Sequence, residues 1–290
     1  MELTEQLRAR LLVFQRVELT EHHIYAKLAK TVKGTENQQI LEKISADELH
    51  HAQLWQKYTG KELKPKMLTV WFYYLISRIF GFTFGIKLME QGEEKAQGSY
   101  AELNGIIPEI ERWIQDEESH EKSLIGMLDE ERLRYAGSVV LGLNDALVEL
   151  TGALAGLTLA LQNTSLIALS GLITGIAASL SMAASEYLST RSEDTGKHPV
   201  RAAIYTGIAY VVTVALLILP YLLIHNYIID LVICLTTAVI IIAVFNYYIS
   251  VAKGESFRKR FLEMAVLSLS VAAVSFGIGY LIRIWLGVEV

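Results

Sequence analysis

Two short segments place a glutamate three residues ahead of a histidine. DELHHAQLW at 47–55 contains Glu48 and His51, and DEESHEKSL at 116–124 contains Glu117 and His120. Positions i and i+3 of a helix share a face, so each pair can offer an oxygen and a nitrogen to one cation. One such pair is common on a solvated helix surface; two become informative when further carboxylates arrive from other helices. VELTEHHIYAKLA supplies Glu18, with Tyr25 two turns on, and LMEQGEEKAQGSY supplies Glu90 and Glu93 ahead of Tyr100, both with helix-like apolar periodicity. Glu18 precedes Glu48 by 30 residues and Glu90 precedes Glu117 by 27.

The repeat reads as a duplicated helix pair, each copy giving one Glu and one Glu-x-x-His. That is the ligand pattern of a carboxylate-bridged two-metal site inside a four-helix bundle. Buried like charges in such number are costly unless cations neutralise them. Carboxylate oxygen with imidazole suits iron or manganese, and zinc stays open. Glu21, Glu94, Glu118 and Glu121 read as the solvated side, His22, His23 and His50 as pointing elsewhere, and the choice between Glu93 and Glu94 stays open.

Over residues 5–132 this pattern resembles the rubrerythrin branch of the ferritin-like superfamily. The resemblance implies that Glu18, Glu48, His51, Glu90, Glu93, Glu117 and His120 hold a di-iron centre. It also implies oxidation of ferrous iron there by oxygen or peroxide. The Cys-rich iron centre of complete rubrerythrins has no counterpart, because Cys234 is the sole cysteine.

The elements that must position these residues follow from composition. The chain has 290 residues, 52% of them hydrophobic, and residues 1–135 hold 22 of its 31 acids and 18 of its 26 Lys and Arg. A polar half therefore precedes an apolar one. A net charge of -5 without a Lys/Arg-rich run gives no footprint for nucleic acid. One cysteine excludes an intrachain disulfide and a Cys-based zinc site. The charged start MELTEQLRARLL lacks the marks of a signal peptide, so the polar half is expected in the cytoplasm.

From Ala136 onward, five apolar runs are long enough to span a bilayer, near 138–161, 165–188, 202–224, 227–250 and 262–286. Arg132 and Arg134 precede the first; Arg191, Lys197 and Arg201 follow the second; Lys253, Arg258, Lys259 and Arg260 follow the fourth. Cytoplasmic joints carry the basic excess, which puts the amino-terminal half inside and the carboxyl terminus outside. A further apolar run, 67–89, contains Arg78 and is expected as an amphipathic crossover helix, buried against the polar domain or resting on the bilayer.

Acids inside spans usually mark an ion path. Asp145 and Glu149 stand i and i+4 in the first span, and Met182 and Glu186 do so in the second, a soft thioether beside a hard carboxylate. Gly152 and Gly156 let another helix approach closely. Asn144 with Asp145, and the segment Ser181, Met182, Glu186, Tyr187, resemble the vacuolar iron transporter family over 136–290. That likeness implies a homodimer exchanging ferrous iron, and often manganese, for protons. Family members with an extended cytoplasmic segment between spans two and three differ from this chain, which has TRSEDTGKHPVR there.

The fusion resembles the membrane-bound ferritins of prokaryotes, which are iron exporters. The expectation is thus an all-α protein: a cytoplasmic ferritin-like four-helix di-iron domain over 1–135, then a five-helix transmembrane domain over 136–290. It would lie in a prokaryotic cell (inner) membrane and export ferrous iron in exchange for protons, with Asp145, Glu149, Met182 and Glu186 on the path. The alternative is a membrane-anchored ferroxidase or peroxide-consuming di-iron protein; inert anchors have no need of Asp145 and Glu149.

Overall fold

Thr4 opens the first helix, its hydroxyl accepting from the Leu7 amide at 3.3 Å. The computed structural model describes residues 4–286 apart from 33, 98–106, 127–134 and 194–195, and the side chains of 90–97, 121, 125, 126 and 286 lie outside the description. The described elements are ten helices and fall into two compact units, Met1–Glu130 and Glu131–Val290.

In the first unit, α1 (Glu5–Ala29) and α2 (Thr35–Thr59) run antiparallel along their whole length. The Arg8 guanidinium donates to the Thr59 carbonyl at 2.9 Å and the Gln15 amide to the Lys61 carbonyl at 2.9 Å, which fastens one end. Leu11, Phe14, Trp55, Ile110 and Trp113 form one buried cluster, while Ile24, Leu28, Leu41, Ile44, Val70, Phe82, Ile86 and Leu124 form another. Each such side chain stabilises the unit by roughly 1.5–3 kcal/mol. A polar layer separates the two clusters in sequence on α1, α2 and α5 (Ile110–Gly126).

The 67–89 run is not one helix. Gly81, at φ +101°, divides it into α3 (Met67–Phe80) and α4 (Phe82–Gln97), a backbone conformation that suits a residue without Cβ. With 14 residues, α3 is shorter than the ~20 residues a span requires. It buries Val70 and Ser77, leaves Leu68, Trp71, Phe72, Leu75 and Ile79 exposed, and carries the Lys27 ammonium 3.9 Å over the Trp71 ring.

The second unit contains α6 (Ala136–Leu161), α7 (Thr164–Ser192), α8 (Pro199–Leu223), α9 (Tyr227–Lys253) and α10 (Phe257–Leu286). All five are long and apolar enough to cross a membrane, with mean hydropathy from 1.4 to 2.8. Leu169, Ile173, Ile176 and Leu180 lie exposed along one side of α7, as a lipid-facing stripe requires. Helix α6 is central, packing on the other four. Against α10 it approaches through Gly156 and Gly279: a Cβ at Gly279 would stand 2.2 Å from the Gly156 carbonyl oxygen. Hydroxyls tie the spans, Thr206 donating to the Ser138 carbonyl at 2.9 Å and Ser268 to the Leu147 carbonyl at 2.6 Å.

Candidate metal centre and membrane carboxylates

Helical spacing turns Gln15, Glu18 and Glu21 inward with Ile24 and Leu28, so α1 carries carboxylates on its buried face. Glu21 is therefore buried, not on the solvated side that its neighbour position suggested; it lies one turn beyond Glu18 on the same face. On α2 the same geometry buries Glu48 and His51, and α5 brings Glu117 and a buried His120.

Ligand atoms of Glu18, Glu48, His51 and Glu117 all lie within 4.8 Å of one another. His51 Nδ1 stands 3.6 Å from Glu18 Oε2, 3.6 Å from Glu48 Oε2 and 3.6 Å from Glu117 Oε1. His120 Nδ1 lies 3.1 Å from the other Glu48 oxygen, Oε1. Atoms bound about 2.0–2.2 Å from one ion would be roughly 2.8–3.6 Å apart, so these separations suit a shared cation. Glu18 Oε2, Glu48 Oε2, His51 Nδ1 and His120 Nδ1 are buried without a hydrogen-bond partner among the described residues. Orphaned buried groups in that number are costly, and a cation among them removes the cost. The donor set therefore fits a metal.

The remaining histidine nitrogens are held. His51 Nε2 faces Asp116 Oδ2 at 3.4 Å, and His120 Nε2 faces Asp47 Oδ2 at 3.2 Å. A carboxylate only accepts, so Nε2 donates in both contacts, which leaves Nδ1 as the atom each ring could offer to a metal. Trp55 donates from its indole nitrogen to Glu18 Oε1 at 3.2 Å and, with Trp113, walls the site beside His51.

Charge is unevenly shared. Burial, then the charges of Glu117 and Glu18, push Glu48 well above the usual carboxylate range. Burial also raises Glu18, but His51, Glu48 and the Trp55 indole outweigh it and hold Glu18 low. Burial disfavours the His51 cation, yet Glu117, Glu18 and Glu48 overcome it and lift that ring far above the imidazole range.

Five of the seven ligands expected from sequence converge here. Glu90 and Glu93 belong to α4, and their side chains lie outside the described residues, as do those of Glu94 and Glu121. His22 points to Ser45, 2.7 Å from its carbonyl, and Glu118 is exposed. Asp47 and Asp116 were missed by sequence reading. Their signal was available: each precedes the glutamate of a Glu-x-x-His, so the repeated unit is Asp-Glu-x-x-His.

In the membrane unit, Glu186 is buried and accepts from the Ser138 hydroxyl at 2.6 Å. Asp145 lies seven residues beyond Ser138 on α6, about 10 Å along the axis. Glu149, one turn further, accepts from Tyr210 at 3.1 Å. Met182, one turn before Glu186 on α7, packs against the buried core. Asp145 and Glu149 thus stand one turn apart on α6, and Met182 and Glu186 one turn apart on α7.

These features define an integral membrane protein of five apolar helices, with a carboxylate and histidine cluster able to hold a metal in its other unit. Residues 136–198 and 192–280 match the sequence model of the VIT family; together they make up half of the chain, which belongs to that family. Membership points to membrane transport of a metal such as iron or manganese. No match is found among curated proteins.

Proposed function

We propose that this protein exports ferrous iron, or manganese, from the cytoplasm in exchange for protons, and that its amino-terminal unit is a ferritin-like di-metal bundle that binds and senses the same ion. The observation that carries the reading is the convergence of four buried carboxylate and imidazole atoms, without a partner among the described residues, in a chain whose other unit belongs to a metal-transport family.

In the bundle, Glu48 presents one oxygen toward His51 and the other toward His120, which suits a carboxylate shared between two ions. Glu18 and Glu117 complete the described shell, and Glu90 and Glu93 are proposed as the carboxylates of the fourth helix. A bound metal there supplies charge neutralisation and, if iron, redox chemistry. Asp47 and Asp116 keep both Nδ1 atoms aimed inward, and Trp55 with Trp113 limits water.

In the membrane unit, Asp145, Glu149, Met182 and Glu186 are proposed to pass the cation across. A ligating carboxylate must be ionised, so protons entering the path release the metal. We place the amino-terminal unit on the cytoplasmic side and the carboxyl terminus outside, in a prokaryotic cell (inner) membrane, with two copies forming a homodimer.

The test is the double variant Glu48→Ala with Glu117→Ala, made in the full chain. Iron binding and iron export should both fall while membrane insertion stays intact. Export at the wild-type level would separate the bundle from transport. Oxygen-dependent iron oxidation by a wild type that moves no metal would favour an anchored ferroxidase.

A further inference from the structure

The geometry points to Asp230 as a proton-binding carboxyl at the end of the membrane unit remote from Glu186, an inference that rests on the transport reading. Asp230 lies in the first turn of α9 and is 0% exposed, and neither carboxyl oxygen has a hydrogen-bond partner among the described residues. Helix capping does not account for it. Asn226 is the cap, its side-chain oxygen accepting from the Ile228 and Ile229 amides at 3.1 and 3.2 Å.

Its surroundings are polar on one side and apolar on the other. Tyr221 of α8, within electrostatic reach, shares a 2.8 Å hydroxyl contact with Thr158 of α6, and both are buried. Cys234 follows one turn later on α9 and is buried. His225, exposed in the turn between α8 and α9, is the other titratable group acting on Asp230. Leu231, the next residue, packs on Ala155 of α6 and Ala272 of α10. No cation pairs with Asp230 among the described residues.

An unpaired carboxylate anion in such a place is too costly to persist, so the carboxyl rests with a proton on it. A divalent cation would demand several hard oxygen ligands, and one carboxyl beside Tyr221 and Cys234 does not provide them. The position suits exchange with one side of the membrane. Asp230 lies about 6 Å of helix below the exposed Asn226, and Thr158 is 20 residues from Ser138 along α6. Twenty residues span about 30 Å, the thickness of the hydrocarbon core. Carboxyls therefore stand at both ends of the unit, at Glu186 and Asp230, with Asp145 and Glu149 between. Each cycle at Asp230 is the addition of one proton to a carboxyl oxygen and its later release.

The test reconstitutes the full chain in proteoliposomes with a pH dye inside and Mn2+ as the probe metal. Wild type is compared with Asp230→Asn, which keeps the shape but cannot titrate, and with Asp230→Glu. The Asn variant should elute as the wild type does, yet lose metal-driven proton flux by about a hundredfold. The Glu variant should retain flux with a moved pH midpoint. Wild-type proton flux and pH profile in the Asn variant would overturn the assignment, as would a raised half-saturating Mn2+ concentration with coupling unchanged, which marks a metal ligand. If the Asn variant does not fold, the Glu variant decides: an unmoved midpoint overturns the assignment. Absence of metal flux in the wild type would remove the transport reading and this assignment with it.

Discussion

Asp47, on α2, accepts from Nε2 of His120, on α5, at 3.2 Å. The mirror contact runs from Nε2 of His51 to Asp116 at 3.4 Å. The aspartate before the glutamate of each motif thus orients the histidine of the other. This crossed arrangement makes the two motifs one site.

The first consequence concerns affinity. Asp47→Ala or Asp116→Ala removes the acceptor that fixes the ring, and loss of such a partner typically costs 10–100-fold in metal affinity. Competition with a chelator should show a drop of about that size in each variant, with helicity unchanged. Wild-type affinity in both would mean that these aspartates do not orient ligands.

The second concerns pH. Glu48 is raised and His51 is raised, so metal binding competes with protons at these two groups. Metal affinity should increase as pH rises above the ordinary carboxylate range, and binding in weak buffer should release protons. The metal-free protein should behave oppositely. A raised folded-state pKa contributes stability that is present below the unfolded value and lost as pH rises, beginning near 4.5 for Glu48 and 6.5 for His51. Melting curves of the metal-free and metal-loaded protein across this range check both signs.

Much of this was legible from residue spacing. The five spans follow from their uninterrupted apolar length, and Glu18, Glu48, His51, Glu117 and His120 follow from their helical register. The break at Gly81 was not, because a glycine within an apolar run does not by itself reveal a positive φ. Asp47 and Asp116 were passed over because their role depends on which helix faces which, and that is a tertiary fact. Asp230 hid for a related reason: at the start of a helix, an acid reads as a cap until Asn226 is seen to occupy that role.

A third prediction tests the packing of α6 on α10. Gly279→Ala drives a methyl into the Gly156 carbonyl and should destabilise the membrane unit by about 1–3 kcal/mol. Gly277→Ala is the control, since nothing lies within 4 Å of its added carbon. Thermal unfolding in detergent should separate the two variants clearly. Equal melting temperatures would argue against a tight α6–α10 contact.

The fourth concerns Glu186. Ser138→Ala removes a 2.6 Å donor and, among the described residues, leaves Thr190, at 3.5 Å, on that oxygen. A hydrogen bond to a charged group contributes about 1.5–3 kcal/mol, so metal flux should change about tenfold or more. Flux assays in vesicles decide it; an unaltered rate would place Glu186 off the path.

Metal transport coupled to protons is measured most directly as ferrous ion flux in liposomes under an imposed pH gradient. Wild type should move iron only when the gradient is present, and Asp145→Ala should abolish that movement. Flux that ignores the gradient, or persists undiminished in the Asp145 variant, would rule out proton-coupled transport through Asp145.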